Sequence, residues 1–346
     1  MSVRIVILEE QSFAAWDDFL IHQKGSTFCH RSGWKTVIEQ GARQACPYLI
    51  AYQGTEVVGI LPLSIKKHFL FGKALISNMF CVYGGAVALD DTIAESLYNA
   101  AWDLANKENI PVFENRTRIS KHQQHDEWIG KSESATFIRD LADDEEQQLL
   151  DIPRKQRAVI RKSLKREMVT DWNGDFSVFY DLYAQSVLTL GTPVFPKRLF
   201  IALRDVFADD VEIQITRNNT GEAVASLMSF YYCDTVMPYY AGGNALARPL
   251  AAHDYMYFQL MIKARERGVT RFDFGRSKID SGPYKFKKNW GFEPTEMQYE
   301  WRLREGITIP EMSQHKGVYG QLAKWWKKLP LPVSKIAGPI VSRHLG

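Results

Sequence analysis

The stretch PYYAGGNAL, Pro238–Leu246, joins aromatic residues of the kind enriched in β-strands to a pair of adjacent glycines. A run with the apolar spacing of an amphipathic helix follows, from His253 to Arg267. The next segment, VTRFDFGR at Val269–Arg276, has the composition of a second strand and contains an acidic residue near its end. This order of strand, glycine pair, helix and strand predicts a mixed α/β unit.

The same order occurs earlier in the chain. The stretch CVYGGAVAL, Cys81–Leu89, precedes a helix-patterned run from Asp91 to Asn106, and the strand-like segment IPVFENR follows. Each copy is preceded by an alternating pattern with a Gly-containing polar turn, at Tyr48–Lys66 and Val211–Tyr232, which predicts a β-hairpin. We therefore predict an α/β (α+β) fold of two tandem units with mixed sheets.

The size and charge of the chain restrict its class. With 346 residues it exceeds the usual size of one hydrophobic core, and its net charge of +3 leaves any preference for anions to local clusters. No window approaches about 18 consecutive apolar residues, and Glu9 and Glu10 interrupt the start before a signal-peptide pattern is complete. These features predict a cytoplasmic protein.

The sequence offers no metal site. Its four cysteines have no paired spacing, which indicates reduced thiols rather than a disulfide or zinc framework. His122 and His125 form an isolated HxxH without a third ligand in view, so we interpret them as loop residues.

We predict four segments: an N-terminal unit at residues 1–150, a basic linker helix at 151–170, a C-terminal unit at 171–305 and a basic amphipathic tail at 306–346. In the linker, Arg157 and Arg161 belong to a basic stripe along one helix face. Guanidinium groups match phosphate oxygens in pairs, so the stripe is suited to a nucleotide-linked, lipid-linked or tRNA substrate. A solvated linker helix explains the same pattern.

The tail has no acidic residue after Glu311, and it places Trp325 and Trp326 beside three lysines. This composition suits an interfacial anchor on an anionic membrane, at the inner face of the cytoplasmic membrane. It equally suits a strap that packs on the body of the protein. Both interpretations stay open.

The repeated unit resembles the acyl-CoA N-acyltransferase (GNAT) fold, in which two strands splay apart and the acyl donor binds in the gap. The resemblance implies that a loop at a helix N-terminus receives the donor pyrophosphate. Here that loop is Ala241–Asp254, which lacks the glycine spacing of a coenzyme A cradle and so disfavours acetyl-CoA. Four residues at the end of the splayed strand are candidates for donor contact, or are plain strand residues: Tyr239, Tyr240, Gly242 and Gly243.

Five motifs carry a more specific resemblance: RKQRAVIRKSLK, LGTPVFPKRLF, MPYYAGG, RFDFGRSK and YKFKKNWGFEP. Together they are similar to the FemAB/FemX-like family, in its branch associated with exosortase and PEP-CTERM systems. The resemblance implies two tandem GNAT-like domains and transfer of an amino acid from aminoacyl-tRNA to an amine of a peptidoglycan precursor. It implies that Phe286 and Lys287 meet the donor and the reacting carbonyl, and that Arg157 or Arg161 grips the acceptor diphosphate. Unlike those relatives, the chain has no long coiled-coil arm between its domains. This difference weakens the expectation that the donor is carried by tRNA.

The chemistry of YKFKKNWGFEP, Tyr284–Pro294, is consistent with such a reaction. Attack of an amine on an ester or thioester produces a tetrahedral oxyanion, which the ammonium of Lys287 stabilises best inside an apolar frame. Phe286 and Trp290 would exclude water and stack on a base or ring. Alternatively, the lysines lie on a solvated helix face and the rings belong to the core.

Asp273, in the RFDFG strand, is a candidate to accept the proton of the attacking amine. It could instead pair with Arg276, itself a candidate substrate contact, or cap the next turn. The first copy has no equivalent lysine-aromatic segment, so we expect the chemistry in the second copy.

We thus predict an acyltransferase that moves an acyl or aminoacyl group to an amine of a cell-envelope or exopolysaccharide precursor. We predict no bound cofactor, because the donor, aminoacyl-tRNA or acyl-CoA, is a cosubstrate. Two alternatives remain, an acyl-CoA-dependent N-acyltransferase and a non-catalytic scaffold of an exosortase or polysaccharide export system.

Overall fold

A computed structural model describes residues 2–68, 72–118, 127–309 and 317–344, so His122 and His125 lie outside the described residues. The strands of the described residues are β1 Val3–Ile7, β2 Leu49–Gln53, β3 Glu56–Leu61, β4 Ser64–His68, β5 Gly72–Ile76, β6 Val87–Ala88, β7 Val112–Asn115, β8 Trp128–Asp140, β9 Val169–Trp172, β10 Val211–Arg217, β11 Ala223–Tyr232, β12 Thr235–Gly243, β13 Arg271–Asp273, β14 Ser277–Lys278 and β15 Pro294–Leu303. The α-helices are α1 Phe13–Ile21, α2 Gly33–Ala42, α3 Asp91–Lys107, α4 Glu145–Leu150, α5 Arg154–Leu164, α6 Phe176–Leu190, α7 Lys197–Phe207, α8 Ala247–Leu250, α9 Ala252–Glu266, α10 Gly282–Asn289, α11 Gly317–Trp326 and α12 Leu331–Ser342.

These strands form two sheets. The smaller sheet has the order β1-β2-β3-β6, and the larger has the order β4-β5-β7-β15-β8-β13-β12-β11-β10-β9, with β14 paired to β8. The predicted hairpins are present as the antiparallel pairs β2–β3 and β10–β11. The mixed α/β class and its mixed sheets are confirmed.

Each copy of the repeated unit contains one parallel strand pair, β5–β7 in the first and β12–β13 in the second. The β12–β13 pairing ends at Val236 and Phe272, whereas β12 continues beside β11 as far as Gly243. Beyond this point β12 and the chain that follows β13 are no longer paired, and α10 lies in that following segment.

The large sheet crosses the domain boundaries that we predict from the sequence. β8, from the predicted N-terminal unit, pairs antiparallel with β13 of the second copy. β15, from the predicted C-terminal unit, pairs antiparallel with both β7 and β8. The two copies thus share one sheet, and the boundaries themselves stay predictions.

The predicted linker helix is α5, whose buried face packs on α9 through Gln156 and Ile160. The side-chain amide of Gln156 donates a hydrogen bond to Asp254, in the first turn of α9. Pro153 is the N-cap residue of α5, one position before the first helical residue. The fixed φ of proline suits both of these positions.

The tail forms α11 and α12, and α12 packs on α6. The Ser342 hydroxyl donates to the carbonyl of Val194 at 2.8 Å, and Lys335 forms an ion pair with Asp181. Among the described helices, none has the length and apolar content needed to cross a membrane.

Candidate active site

The carboxylate of Asp273 lies at the end of β13, where the parallel pair has just separated, and the residue is 3% exposed. Its Oδ1 accepts hydrogen bonds from the backbone N–H of Gly275 at 2.7 Å and from the hydroxyl of Tyr83 at 3.0 Å. The hydroxyl of Thr136, on β8, lies at 3.4 Å from the same oxygen. Burial raises the pKa of Asp273, and these hydrogen bonds oppose that shift. The result is a buried carboxylate that is more basic than an exposed one.

The helix that carries Lys287 is α10. It begins at Gly282 because the hydroxyl of Ser281 accepts the N–H of Tyr284 at 3.3 Å and a proline occupies the first turn. The helix is short and strongly basic, but its lysines do not share one environment. Lys285 and Lys288 are exposed, whereas Lys287 is 9% exposed.

The ammonium of Lys287 donates to three consecutive carbonyls, those of Phe274 at 2.6 Å, Gly275 at 2.9 Å and Arg276 at 3.3 Å. The rings of Phe137 and Phe274 lie 5.4 and 5.9 Å from the same nitrogen. Burial lowers the pKa of Lys287 to about 7, and the charge of Asp273 opposes the shift. The lysine is therefore enclosed, as the oxyanion hypothesis requires, but its three protons all point at carbonyls.

Gly275 is hydrogen-bonded to both the carboxylate of Asp273 and the ammonium of Lys287. Its N–H binds Asp273 and its carbonyl binds Lys287, and its φ of +66° lies in the left-handed region that favours glycine. An oxyanion that binds Lys287 has to replace one of the three carbonyls, and the bond to Arg276 is the longest. Hydrogen bonds to Asp273 and to Lys287 therefore both hold the segment 274–276 in place.

The aromatic frame around Lys287 is divided between core and surface. Trp290 is fully buried, with the rings of Phe274 and Phe286 both 6.1 Å away. Its indole N–H faces Asp254 without a hydrogen bond of ordinary geometry within the described residues. Phe286 is only partly buried, so a ligand can reach Phe286 more readily than Trp290.

The two tyrosines of β12 have different surroundings. The hydroxyl of Tyr239 donates to the carbonyl of Phe80 at 2.8 Å and accepts the N–H of Val82 at 2.9 Å, which fixes the loop of the first copy. Tyr240 is buried beside Tyr183 and Phe200, and its hydroxyl has no hydrogen-bond partner within the described part of the chain. Their proposed contacts with a donor stay predictions.

The glycine pair at the end of β12 is needed for close packing. A Cβ on Gly242 would lie 2.4 Å from the backbone nitrogen of Tyr183 on α6. A Cβ on Gly243 would lie 2.8 Å from the ring of His253. Packing therefore accounts for both glycines, and their contact with a donor is an additional prediction.

Several residues of this site were not among the sequence candidates: Tyr83, Thr136, Tyr299 and Arg116. Arg276 is exposed and its guanidinium lies 5.2 Å from the ring of Tyr299, whose hydroxyl donates to the carbonyl of Val82 at 2.8 Å. Arg116 donates to the carbonyl of Cys81 at 3.0 Å. In the sequence, the glycine pair of CVYGG marks this loop. That pair predicted the repeated unit, but it did not predict that the loop contributes to the site.

The predicted acceptor-binding residues lie on α5. Arg157 and Arg161 line a surface concavity of about 470 Å³ together with Arg154, Ala158, Lys162 and Lys165. Arg157 donates to the carbonyls of Ile152 at 3.1 Å and Leu150 at 2.9 Å, while Arg161 is exposed. The three hydrogen bonds of the Lys287 ammonium go to residues 274–276 and not to α5.

The candidate donor loop after β12 is folded on itself. The N–H groups of Leu246 and Ala247 bind Asn244, and α8 occupies the next four residues. Arg166, just after α5, donates to the carbonyl of Pro249. Fewer N–H groups are therefore free for a pyrophosphate than in an open anion-binding loop. The described residues also contain no group of three or more potential metal ligands.

Comparison with known proteins identifies the fold. Residues 151–288 match the family model described as an Acetyltransferase (GNAT) domain. The structure of FemX is 14% identical and superposes with a TM-score of 0.65 over 86% of this chain and 96% of that chain. The tandem GNAT protein of the clavulanic acid biosynthesis pathway is 13% identical, with a TM-score of 0.56 over 89% of this chain and 100% of that chain.

L-PGS from Bacillus licheniformis is 13% identical, with a TM-score of 0.54 over 97% of this chain and 98% of that chain. The sequence has no significant match among curated proteins. The fold and these comparisons together show a mixed α/β protein of two tandem GNAT-like units. Residues 151–288 of the second unit match a GNAT domain model, and the whole is similar in fold to FemX.

Proposed function

We propose that the protein transfers an acyl or aminoacyl group to an amine of a cell-envelope or exopolysaccharide precursor, as a FemAB-like enzyme. The observation that carries the proposal is the pair formed by Asp273 and Lys287 around Gly275, at the point where β12 and β13 separate. The resemblance to the GNAT fold implies that the acyl donor binds where these strands separate.

The two side chains have complementary roles in this proposal. The attacking amine loses its proton to Asp273, whose raised pKa makes it a better base than an exposed carboxylate. When the tetrahedral intermediate collapses, the bond from the acyl carbon to the oxygen or sulfur of the donor breaks, and that leaving group takes the proton from Asp273. Lys287 donates to the oxyanion of the tetrahedral intermediate in place of its longest carbonyl bond. Burial lowers the pKa of Lys287 to about 7. The negative charge that develops on the oxyanion favours the protonated form of Lys287, which is the form that can donate to the oxyanion.

The acceptor in this proposal carries phosphate. The basic groove of α5 presents Arg154, Arg161, Lys162 and Lys165, and the described residues provide no acidic partner for any of them. Paired guanidinium groups suit a diphosphate of a nucleotide-linked or lipid-linked precursor. Arg161→Glu is therefore expected to raise KM for the acceptor with a smaller effect on kcat.

The donor distinguishes two versions of the proposal. The resemblance of the sequence motifs to the FemAB/FemX-like family supports an aminoacyl donor, and the self-bonded loop at 244–251 disfavours coenzyme A. The match to an acetyltransferase domain and to a tandem GNAT protein supports an acyl-CoA donor. A place in an exosortase or PEP-CTERM system is the most specific form of the proposal and depends on the sequence motifs.

The test is a donor and acceptor panel followed by mass spectrometry. Purified protein is incubated with bulk aminoacyl-tRNA or with acetyl-CoA and long-chain acyl-CoA, each with an amine-bearing nucleotide-linked envelope precursor. A product heavier by one acyl or aminoacyl group supports the proposal and identifies the donor. The variant Lys287→Met should lose about 10²- to 10³-fold in rate, while Lys288→Met, with its exposed side chain, should keep it. Equal activity of both variants would remove Lys287 from the mechanism.

A further inference from the structure

The helix α12 has its small residues on the inside. Ser334, Gly338 and Ser342 are the buried residues of this helix, and their spacing of four places them along one side. A Cβ on Gly338 would lie 2.8 Å from a side-chain carbon of Val194, so the helix approaches the body closely on this side. This inner side accounts for the packing of the tail as a strap.

Three large apolar residues of α12 point the other way. Val333, Ile336 and Ile340 are 45%, 74% and 61% exposed. At 100° per residue these three positions lie on the side of the helix opposite the buried stripe. A strap that only covered the body would place its large apolar side chains inward. Val333, Ile336 and Ile340 do the reverse, whereas Leu331, at the start of the helix, packs on the core.

The preceding helix has further exposed apolar residues. Leu322 and Trp325 on α11 are 49% and 62% exposed and lie three residues apart, on one side of the helix. We call the five exposed side chains the tail face: Leu322, Trp325, Val333, Ile336 and Ile340. A concentration of this kind in a short segment is unusual for a surface that only contacts water.

The charge around the tail face has one sign. Lys324, Lys327 and Lys328 are exposed, and the described residues provide no acidic partner for them. The chain has no acidic residue after Glu311, and among the described residues the tail has one ion pair with a carboxylate, between Lys335 and Asp181. The tail face therefore combines aliphatic side chains, an exposed indole and unneutralised ammonium groups.

We propose that the tail face binds the surface of an anionic phospholipid bilayer, with its apolar side chains among the acyl chains and its lysines at the headgroups. Tryptophan and lysine both suit that boundary, because each combines an apolar body with a polar end. A second copy of the chain fits less well, because a symmetric contact would bring the same lysines together. The proposal does not depend on the donor or acceptor of the transfer reaction.

The experiment is sedimentation of the full chain with vesicles of phosphatidylglycerol and phosphatidylcholine, or of phosphatidylcholine alone. The chain should bind the anionic vesicles more tightly, and added salt should weaken that binding. Ile336→Ser/Ile340→Ser should lower the affinity for anionic vesicles at least about tenfold. Lys327→Gln/Lys328→Gln should lower it by roughly tenfold or more and flatten the salt dependence.

The matched control is Ile7→Ser/Ile21→Ser, which removes two other exposed isoleucines, 52% and 58% exposed, and should bind like the wild type. Thermal melting checks that every variant is folded. If the apolar pair disturbs folding, the lysine pair still decides the question. The proposal is overturned if the wild type ignores anionic vesicles, or if the tail variants bind them as the wild type does. It is also overturned if light scattering shows a dimer that Ile336→Ser/Ile340→Ser converts to a monomer without any vesicle binding.

Discussion

The hydroxyl of Tyr83 donates a hydrogen bond to Oδ1 of Asp273 at 3.0 Å, across 190 residues of sequence. Tyr83 comes from the glycine-pair loop of the first copy, and Asp273 from the end of β13 in the second. The first copy thus supplies part of the environment of the acid on which the proposed chemistry depends.

Tyr83→Phe tests this relationship. The variant removes a donor from a buried carboxylate, so we expect the free energy of unfolding to fall by about 1–3 kcal/mol. The hydrogen bond from Tyr83 also holds the pKa of Asp273 down against burial. Its loss should raise that pKa and move the acid limb of the pH–rate profile to higher pH. Tyr48→Phe, which removes a buried hydroxyl bound to Asn78, should lose stability without that movement.

If Tyr83→Phe leaves the acid limb in place while the two variants lose similar stability, Asp273 is not the base whose ionisation the profile reports.

Lys287→Met should change how stability depends on pH. The pKa of Lys287 is about 7 in the folded protein and near 10.5 when exposed, so the unfolded chain binds more protons between these values. The free energy of unfolding of the wild type therefore includes a contribution from Lys287 that increases with pH between these two values. Its slope is up to about 1.4 kcal/mol per pH unit. The measurement is the difference in free energy of unfolding between variant and wild type, from urea denaturation at each pH.

The matched control is Lys288→Met, because Lys288 is exposed and contacts none of the three carbonyls. A difference profile for Lys287→Met that is as flat as the control would show that the ammonium is solvated in solution.

His30→Gln should protect the protein against acid relative to wild type. Burial lowers the pKa of His30 to about 4 from 6.5, so the unfolded chain takes up a proton that the folded chain refuses. Wild type loses this contribution to stability as the pH falls from about 6.5 to 4. The opposite effect of Asp254, whose pKa burial raises to about 6, is present in both proteins and cancels in the difference.

Chemical denaturation at a series of pH values between 4 and 7 gives the comparison. His22→Gln serves as the control, because the His22 ring is exposed and is hydrogen-bonded to the carbonyl of Asp18 in its own helix region. Parallel pH profiles for wild type and His30→Gln would contradict the assignment of a buried neutral imidazole.

Gly242→Ala should destabilise the protein by about 1–3 kcal/mol, because the new Cβ would meet the α6 backbone at Tyr183 and force α6 away from β12. Gly282→Ala is the control, since nothing lies within 4 Å of a Cβ there. Thermal melting of both variants gives the comparison. Equal melting temperatures would mean that α6 is not packed as closely on β12 as described.

Local patterns predicted much of the fold. The two hairpins, the helices α3, α5 and α9, and the strands β7 and β13 were all visible as apolar periodicity interrupted by glycine, because these signals depend on neighbouring residues alone. The lysine-aromatic segment was visible for the same reason. Its sequence alone allowed a solvated basic face or a buried ammonium, and only Lys287 of the three lysines proved to be enclosed.

Local pattern alone therefore specified the repeated unit and the residue types available for chemistry. The tertiary structure alone decided that β8 and β15 join both copies in one sheet and that Tyr83 and Thr136 meet Asp273. It also decided that three carbonyls surround Lys287 and that α12 presents its isoleucines outward. The physical reason is that burial and hydrogen bonding between distant segments depend on how the elements pack, and no periodicity along the chain encodes that.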